Sequence, residues 1–439
     1  MIKEFYIDGL YDERDVKIPF NGEYKIIVAK NGYGKTTILN SFYALLSGDI
    51  SKLRKIGFKK IGIKFEDGVD ISFEKSDFDA DLESIKGHPL FSHLESKLGR
   101  DFILELLDDI RRFPPSMIES SPLFRRASKA LDYPTRILRE YLSDFRLNKD
   151  RKNINSKTKA KLTTLKAKFP YKSLYLPTYR RVEEDIRAFG AISDDETDGH
   201  SSINFGMSDV NKSIKSITSE ILSSSVEWFS KINGQMLSQL VNGFEVTDEM
   251  KNSISEPRSV EIVLERIGKN ISISHKEQIL NLVRSGEILK DHDPLVYFVA
   301  NLLSVYEQQQ ENDQAIQSFT KVSNKYLNDK EVVYNESNVT IEIVRKKNRR
   351  PVDIESLSSG EKQIISLFAL LYLQKKNDLA IFFDEPELSL SIEWQKTLLP
   401  DIVDSGKCKF LFCTTHSPFI FENELERVTV DLAMYIKEL

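Results

Sequence analysis

Cysteine is nearly absent: Cys408 and Cys413 are the only two in 439 residues, and both fall in one apolar run near the C-terminus. A strand reading of that run sets them on opposite faces. With no second pair, reduced, buried thiols of a cytoplasmic protein fit the pattern better than a disulfide or a metal site. Neither sign of charge dominates. Sixty-two Lys and Arg face 67 Asp and Glu, a formal net charge of −5, so any nucleic-acid contact must come from a local patch. Long apolar runs are missing as well. The longest, Ile364–Leu373, is broken by Ser366 and has about half of the ~20 residues a membrane-spanning helix needs. The opening Met1-Ile-Lys-Glu-Phe-Tyr-Ile alternates as a strand does and is no signal peptide. Internal repeats and long heptad runs are also absent, which argues against a solenoid or a coiled-coil arm.

What is present is an ordinary globular composition, 40% apolar and 29% charged, on a chain long enough for two or three domains. Residues 1–77 read as short strands around one helix, with strand signals at Lys3–Ile7, Val16–Phe20, Ile26–Val28, Ile61–Phe65 and Val69–Phe73. Asn21-Gly22 and Asp67-Gly68 mark tight turns between them. Residues 78–172 turn helical and end in a basic stretch. Residues 173–204 hold a returning strand, Ser173-Leu-Tyr-Leu-Pro, and an acidic loop around Ser193-Asp-Asp-Glu. Residues 205–328 are helical again, with Gln308-Gln-Gln-Glu-Asn-Asp-Gln read as the exposed part of a long helix. Residues 329–439 begin with strands over Glu331–Val344 and then alternate helix with parallel-type strand. Two lobes far apart in sequence thus bracket a helical insertion, and they can build one site only by joining in one sheet.

Lys25-Ile-Ile-Val-Ala-Lys-Asn-Gly-Tyr-Gly-Lys-Thr-Thr is an apolar strand, a glycine-containing loop and a helix start, the context of a P-loop. Lys30, Asn31, Gly32, Tyr33, Gly34, Lys35, Thr36 and Thr37 are the candidate phosphate cradle. The glycines let backbone N–H groups close on phosphate oxygens, Lys35 reaches the β- and γ-phosphates, and Thr36 holds Mg²⁺. The first glycine of the usual pattern is replaced by Ala29. A plain strand–turn–helix junction would not account for Gly-Lys-Thr-Thr directly after the turn.

The second half of the candidate site lies near the other end. Leu357-Ser358-Ser359-Gly360-Glu361-Lys362-Gln363 opens an apolar helix, where free N–H groups and the dipole favour an anion. Alone it could equally be a capping box of Ser358 and Glu361. The neighbouring run Leu379-Ala-Ile-Phe-Phe-Asp-Glu-Pro-Glu is an apolar strand ending in carboxylates. Asp384 is the candidate Mg²⁺ ligand, and Glu385 the candidate catalytic base for the attacking water. Lys409-Phe-Leu-Phe-Cys-Thr-Thr-His is a further strand delivering His416 at its carboxyl end, where ligands of open α/β sheets sit. A lone histidine there is more often structural. The order of the four pieces, however, exceeds coincidence.

These motifs resemble the ABC-type ATPases of the SMC/RecF branch: Asn31-Gly-Tyr-Gly-Lys-Thr its P-loop, Leu357-Ser-Ser-Gly-Glu-Lys-Gln its signature, Asp384-Glu-Pro-Glu-Leu-Ser-Leu-Ser its Walker B and D-loop, and Thr415-His-Ser-Pro its switch histidine. Ser359 stands where the signature commonly has glycine, and no Q-loop glutamine is identified. The resemblance covers both end lobes. It implies an α/β fold, an ABC-type ATPase head formed by the N- and C-terminal lobes with a large, mainly helical insertion. It also implies a head-to-tail dimer in which Ser358, Ser359 and Gly360 of one copy meet the ATP held by Lys35 of the other, with His416 at the γ-phosphate. Tyr175-Leu-Pro-Thr-Tyr-Arg-Arg-Val-Glu, Asn204-Phe-Gly-Met-Ser-Asp-Val and Ile392-Glu-Trp-Gln are similar to stretches of standalone phage-defence ATPases, the Septu and retron-associated PtuA and the PARIS ATPase. That narrower resemblance implies a separately encoded effector nuclease or toxin. The chain ends soon after His416, leaving no room for the nuclease domain of overcoming-lysogenisation-type relatives. His88, His93, His200, His275 and His292 show no HNH or metal-ligand spacing.

Ten basic residues between Arg146 and Lys172 oppose only Asp150. Such a run is either a solvated helix face or a contact to nucleic-acid phosphates, for which Arg146, Lys149, Arg151, Lys152, Lys157, Lys159 and Lys161 are the candidates. Arg180 and Arg181 bear on phosphate or pair with Glu183 or Glu184. The expected function is an ATP- and Mg²⁺-dependent ATPase controlling or scaffolding an effector against phage. The alternative is a RecF-like repair clamp acting directly on DNA.

Overall fold

A computed structural model describes residues 1–30, 32–78, 89–99, 102–103, 105–106, 118, 121–131, 138, 156–178, 207–267, 271–375 and 377–439. Asn31, Arg146, Lys149, Arg151, Lys152, Arg180, Arg181 and the acidic loop lie outside the described residues.

The five strand signals of the first lobe appear as β1 (Ile2–Leu10), β2 (Arg14–Pro19), β3 (Tyr24–Val28), β4 (Lys60–Phe65) and β5 (Asp70–Glu74). Alternation selects the first sheet, in which β1 pairs antiparallel with β2 and β4, and β4 with β5. Asp67-Gly68 makes the β4–β5 turn with Gly68 at a φ of 83°, a region open to glycine. Asn21-Gly22 does something else: β3 leaves that sheet and enters a second one, so no hairpin forms there.

The second sheet is wholly parallel, in the order β11-β3-β10-β9-β6. It gathers β3 with β6 (Lys172–Leu176), β9 (Leu379–Asp384), β10 (Cys408–Thr415) and β11 (Thr429–Asp431). Both ends of the chain therefore share one sheet. Strand β9 is buried at every position, as a central parallel strand covered on both faces must be. The last strand, β12 (Ile436–Glu438), departs from the parallel pattern expected of the C-terminal lobe. It pairs antiparallel with β2 at the edge of the first sheet. A bulge at Lys409 offsets the β10 register, so Cys408 turns to the same core layer as Leu411 and Cys413. The two cysteines thus share a face, contrary to simple alternation, and both are free and buried.

Helix α1 (Lys35–Ser47) and the short α2 (Ile50–Lys55) follow β3. Helix α1 lies between the sheets. Its Phe42 stacks on Phe5 of β1 at 4.3 Å and meets Phe412 of β10 edge-on at 5.0 Å. Further on come α3 (Pro89–Leu98), α4 (Pro122–Leu131) and α5 (Ser156–Lys168). Leu165 of α5 joins the inter-sheet core. The opposite face of the parallel sheet is covered by α6 (Met207–Asn242), α10 (Asp293–Tyr326) and α11 (Ser359–Tyr372). Between α6 and α10, the helices α7 (Asp248–Ser253), α8 (Pro257–Arg266) and α9 (Ile273–Ser285) form a separate core with the distal ends of those long helices. A two-stranded hairpin, β7 (Lys330–Asn335) and β8 (Thr340–Arg345), precedes α11, and α12 (Ile392–Asp404) links β9 to β10.

The glutamine run of α10 is not uniformly exposed. Gln309 and Asp313 are buried, because Arg266 of α8 reaches across to them. No described helix is long and apolar enough to cross a membrane.

Candidate functional site

The parallel sheet delivers the ends of β3, β9 and β10 side by side: Val28 lies opposite Thr415, and Asp384 opposite Thr414. The loop after β3 carries Lys30, Gly32 and Tyr33, all exposed. Gly32 and Gly34 take φ values of 90° and 81°, a left-handed geometry that side-chain-bearing residues resist. Gly34 caps α1 with no side chain of its own, so the first-turn amides are left for an anion.

Lys35 and Thr36 open that helix and turn toward β9. Lys35 is buried; its Nζ donates to the Ala29 carbonyl at 2.8 Å and stands 3.7 Å from Glu385 Oε1. Thr36 Oγ1 donates to Asp384 Oδ2 at 2.9 Å, and Thr414 Oγ1 donates to Oδ1 at 2.8 Å. Asp384 is only 1% exposed. A hydroxyl beside a buried carboxylate is a hard-oxygen donor set, and it fits Mg²⁺, which takes one or two carboxylates and leaves its other positions to phosphate and water. Thr37, partly buried, accepts from Ser41 Oγ at its carbonyl.

Glu385 follows the end of β9 with a φ of 48°. A positive φ in a non-glycine residue is uncommon, and such strain clusters at functional sites. Its amide donates to the Thr414 carbonyl at 2.8 Å, and its side chain is 22% exposed, accessible to a ligand. His416, beyond the end of β10, places Nδ1 3.9 Å from Glu385 Oε1 and 2.8 Å from Glu387 Oε1. Lys35, Thr36, Asp384, Glu385 and His416 therefore converge from three segments of the chain.

Ser358, Ser359 and Gly360 are not part of that convergence. Ser358 caps α11 in a reciprocal capping box with Glu361, so the feature is a cap whatever else it does. Ser358 and Ser359 are exposed at the helix start, and Gly360 is buried against the Ser389 carbonyl. Lys330 of β7 braces the cap from outside, 2.9 Å from Glu361 Oε1. Burial alone would raise the Glu361 carboxyl, but the hydrogen bonds from Lys330 and Ser358 outweigh it and hold the pKa below the usual range.

The basic helix α5 divides. Lys157 and Lys159 are exposed. Lys161 was a candidate phosphate contact, but it donates to the Ser72 carbonyl at 2.6 Å and pairs with Asp77 at 3.6 Å. Its charge is thus used inside the chain, where α5 lies on β5, and Lys168 likewise bonds Asp67.

Several neighbours of the site carried no sequence signal of their own. Arg14 of β2 donates to the Tyr33 carbonyl at 3.4 Å. Thr414, Gln395 and Lys330 act through tertiary contacts only. Glu387 had one available clue, a third acid directly after a buried strand.

A sequence-family profile described as "AAA domain, putative AbiEii toxin, Type IV TA system" matches residues 103–422. That span includes Ser358–Gly360, Asp384, Glu385 and His416 and begins after Lys35. No curated protein sequence matches the chain. Among solved structures, it aligns with an Smc head domain with an extended coiled coil bound to the C-terminal domain of ScpA from Pyrococcus furiosus, at 15% identity over 96% of this chain and 90% of that one, TM-score 0.35. It also aligns with an Smc head bound to the winged-helix domain of ScpA (14% identity, 95% and 90% covered, TM-score 0.32). A third is the Smc head domain with coiled coil and joint from Pyrococcus yayanosii (13% identity, 96% and 93% covered, TM-score 0.29).

Proposed function

The chain belongs to this AAA-domain family of the AbiEii type, and from that membership we propose that it hydrolyses ATP to ADP and phosphate and thereby controls a separately encoded effector. The observation that carries the reading is the meeting of Thr36 and Asp384 at 2.9 Å beneath Lys35 and Glu385. A glycine loop, a lysine, a hydroxyl and two carboxylates are the parts phosphoryl transfer needs.

In this reading the amides of Gly32 to Thr36 cradle the phosphates, with Lys30 and Tyr33 exposed on the rim. Lys35 moves its ammonium from the Ala29 carbonyl to the β- and γ-phosphate oxygens. Thr36 and Asp384 would hold Mg²⁺, which would supply charge neutralisation at the phosphates. Glu385 accepts a proton from the water that attacks the γ-phosphorus, and the bond to the β-bridging oxygen breaks. His416 bears on the γ-phosphate. Ser358 and Ser359 are exposed at the start of α11 while Gly360 is buried; together with the resemblance, the exposed hydroxyls support completion of the site by a second copy docked head to tail. The resemblance to standalone phage-defence ATPases supports an effector nuclease or toxin as the partner.

The test is purification from the native operon with identification of every co-eluting protein and nucleic acid, followed by an ATPase assay with and without DNA. A stoichiometric nuclease or toxin and Mg²⁺-dependent turnover support the proposal. A lone dimer stimulated by DNA alone replaces it with a RecF-like clamp, and no turnover under any condition removes the hydrolase reading.

A further inference from the structure

Glu387 is the third acid of Asp384-Glu-Pro-Glu, and neither metal binding nor water activation uses it. Its side chain is 4% exposed. Ionised carboxylates are costly to bury unless paired, so a specific partner is required. Oxygen Oε1 accepts the backbone N–H of His416 at 2.9 Å, and Nδ1 of the same residue stands in close contact with it at 2.8 Å. Oxygen Oε2 is buried and has no hydrogen-bond partner among the described residues. The loop bearing Glu387 is itself tied down. Gln363 Nε2 donates to the Pro386 carbonyl at 3.2 Å, and Gln395 Nε2 to the Leu390 carbonyl at 3.0 Å. Ser417, next to His416, donates to Gln395 Oε1 at 2.6 Å. Gln395 thereby ties the histidine's segment to the acid's loop, and Gln363 ties that loop to α11.

A carboxylate oxygen beside one imidazole nitrogen favours the proton on that nitrogen, and the partner of one nitrogen sets the state of the other. With Nδ1 held 2.8 Å from Glu387 Oε1, Nε2 is the nitrogen available to a ligand. The ring is 45% exposed, so that nitrogen can be approached. Resting on the ATPase reading above, we propose that Glu387 is a positioning residue: it fixes the tautomer and tilt of His416 so that Nε2 is presented to the γ-phosphate. A purely structural acid would need the backbone contact alone. The second contact, to Nδ1, is the one that orients the ring.

The experiment uses the full chain labelled with ¹⁵N-histidine, observed about two pH units above the usual histidine pKa of ~6.5. The spectrum of His416→Gln identifies the His416 signals among the six histidines. Wild type is expected to show a protonated Nδ1 and an unprotonated Nε2. Glu387→Leu is expected to move the proton toward Nε2 and lower kcat about ten- to hundredfold, the range for orienting partners, with KM for ATP within about twofold. Glu387→Gln keeps an acceptor of the same shape and should recover most of that turnover. A wild-type chain that hydrolyses no ATP overturns the ATPase reading and this role with it. A hydrolysing wild type with its proton on Nε2, or one whose kcat is unmoved by Glu387→Leu, overturns this proposal alone. The wild-type spectrum keeps the test valid should the leucine variant fail to fold.

Discussion

Gly360 lies so close beneath the carbonyl of Ser389 that a β-carbon on it would stand 2.4 Å from that oxygen, with Trp394 Cζ3 at 3.2 Å. The start of α11 and the loop after β9 are therefore packed backbone to backbone, which only glycine allows. Ser389 has little room to retreat, because it sits at a φ of 67°. Gly360→Ala is expected to cost about 1–3 kcal/mol, as overpacking does. It should also lower ATP turnover, since the displaced loop carries Glu387. Urea denaturation and a steady-state ATPase assay check both, and an alanine variant of unchanged stability would show that the loop yields freely.

In the proposed ATPase mechanism, Lys35 and Glu385 separate binding from chemistry. Lys35→Ala should abolish ATP binding, whereas Glu385→Gln should keep it and slow hydrolysis by about 10²–10⁴, the usual value of general-base help. Equilibrium binding of a fluorescent ATP analogue and single-turnover hydrolysis distinguish the two. If effector control survives Glu385→Gln but not Lys35→Ala, bound nucleotide alone is the signal.

How much of this was legible beforehand depended on whether a feature is local. The first five strands could be read because alternation and turn residues sit within each segment. The loop glycines and the apolar β9 run could be read for the same reason. Where a strand goes after its turn is not local, so the tight turn at Asn21-Gly22 gave no hint that β3 pairs with β10 and β11. The common face of Cys408 and Cys413 depends on the bulge at Lys409, visible only in the register with β9. Polar residues at Gln309 and Asp313 signalled exposure, and their burial needs Arg266 from another helix. Glu387, Thr414 and Arg14 owe their places near the site to contacts with residues distant in sequence.

The two thiols should be inert in the folded chain. Burial pushes Cys408 up to about 12 and raises Cys413 well above its usual value, so the reactive thiolate is scarce as well as inaccessible. At about pH 8, where a free cysteine reacts readily, Ellman's reagent should detect no thiol until denaturant is added, and then both. Reaction at native conditions with one equivalent would place β10 nearer the surface than the fold allows.

The Lys330–Glu361 brace gives helix α11 a defined pH window. Folding lowers Glu361 below its usual 4.5, so its stabilisation is complete above about pH 4.5 and is lost as pH falls through the folded value. Lys330 is raised above its usual 10.5, chiefly by the hydrogen bond to Glu361, so its share persists until pH climbs through that higher value. Wild type should therefore be flat in this respect between about pH 5 and 10. Lys330→Met leaves Glu361 with less to lose on acidification. The gap in melting temperature between wild type and Lys330→Met should narrow from about pH 5 to pH 3. A gap that widens would contradict the sign.

Arg266 and Asp313 form one tie between the distal helices and the rest of the chain. Their side chains are 7% and 1% exposed. Arg266 Nη2 bonds both Asp313 oxygens at 2.8 Å, Nη1 donates to Gln309 Oε1 at 2.7 Å, and Nε donates to the Glu336 carbonyl at 3.0 Å. The Tyr334 hydroxyl of β7 also donates to Asp313. Removing one partner of such a pair leaves the other charge buried, so Asp313→Ala should cost about 3–5 kcal/mol. Replacing both by apolar residues of similar size avoids that penalty. Arg266→Met with Asp313→Leu is therefore expected to cost less than Asp313→Ala alone, although Tyr334 and Gln309 lose partners in it. Urea midpoints for the singles and the double make the cycle. A double variant that loses the sum of its singles would mean that the two charges do not depend on each other. Because β7 also carries Lys330 against Glu361, the same variants should alter ATP turnover only if strain passes along that strand. A destabilised Asp313→Ala with wild-type turnover would confine the tie to stability.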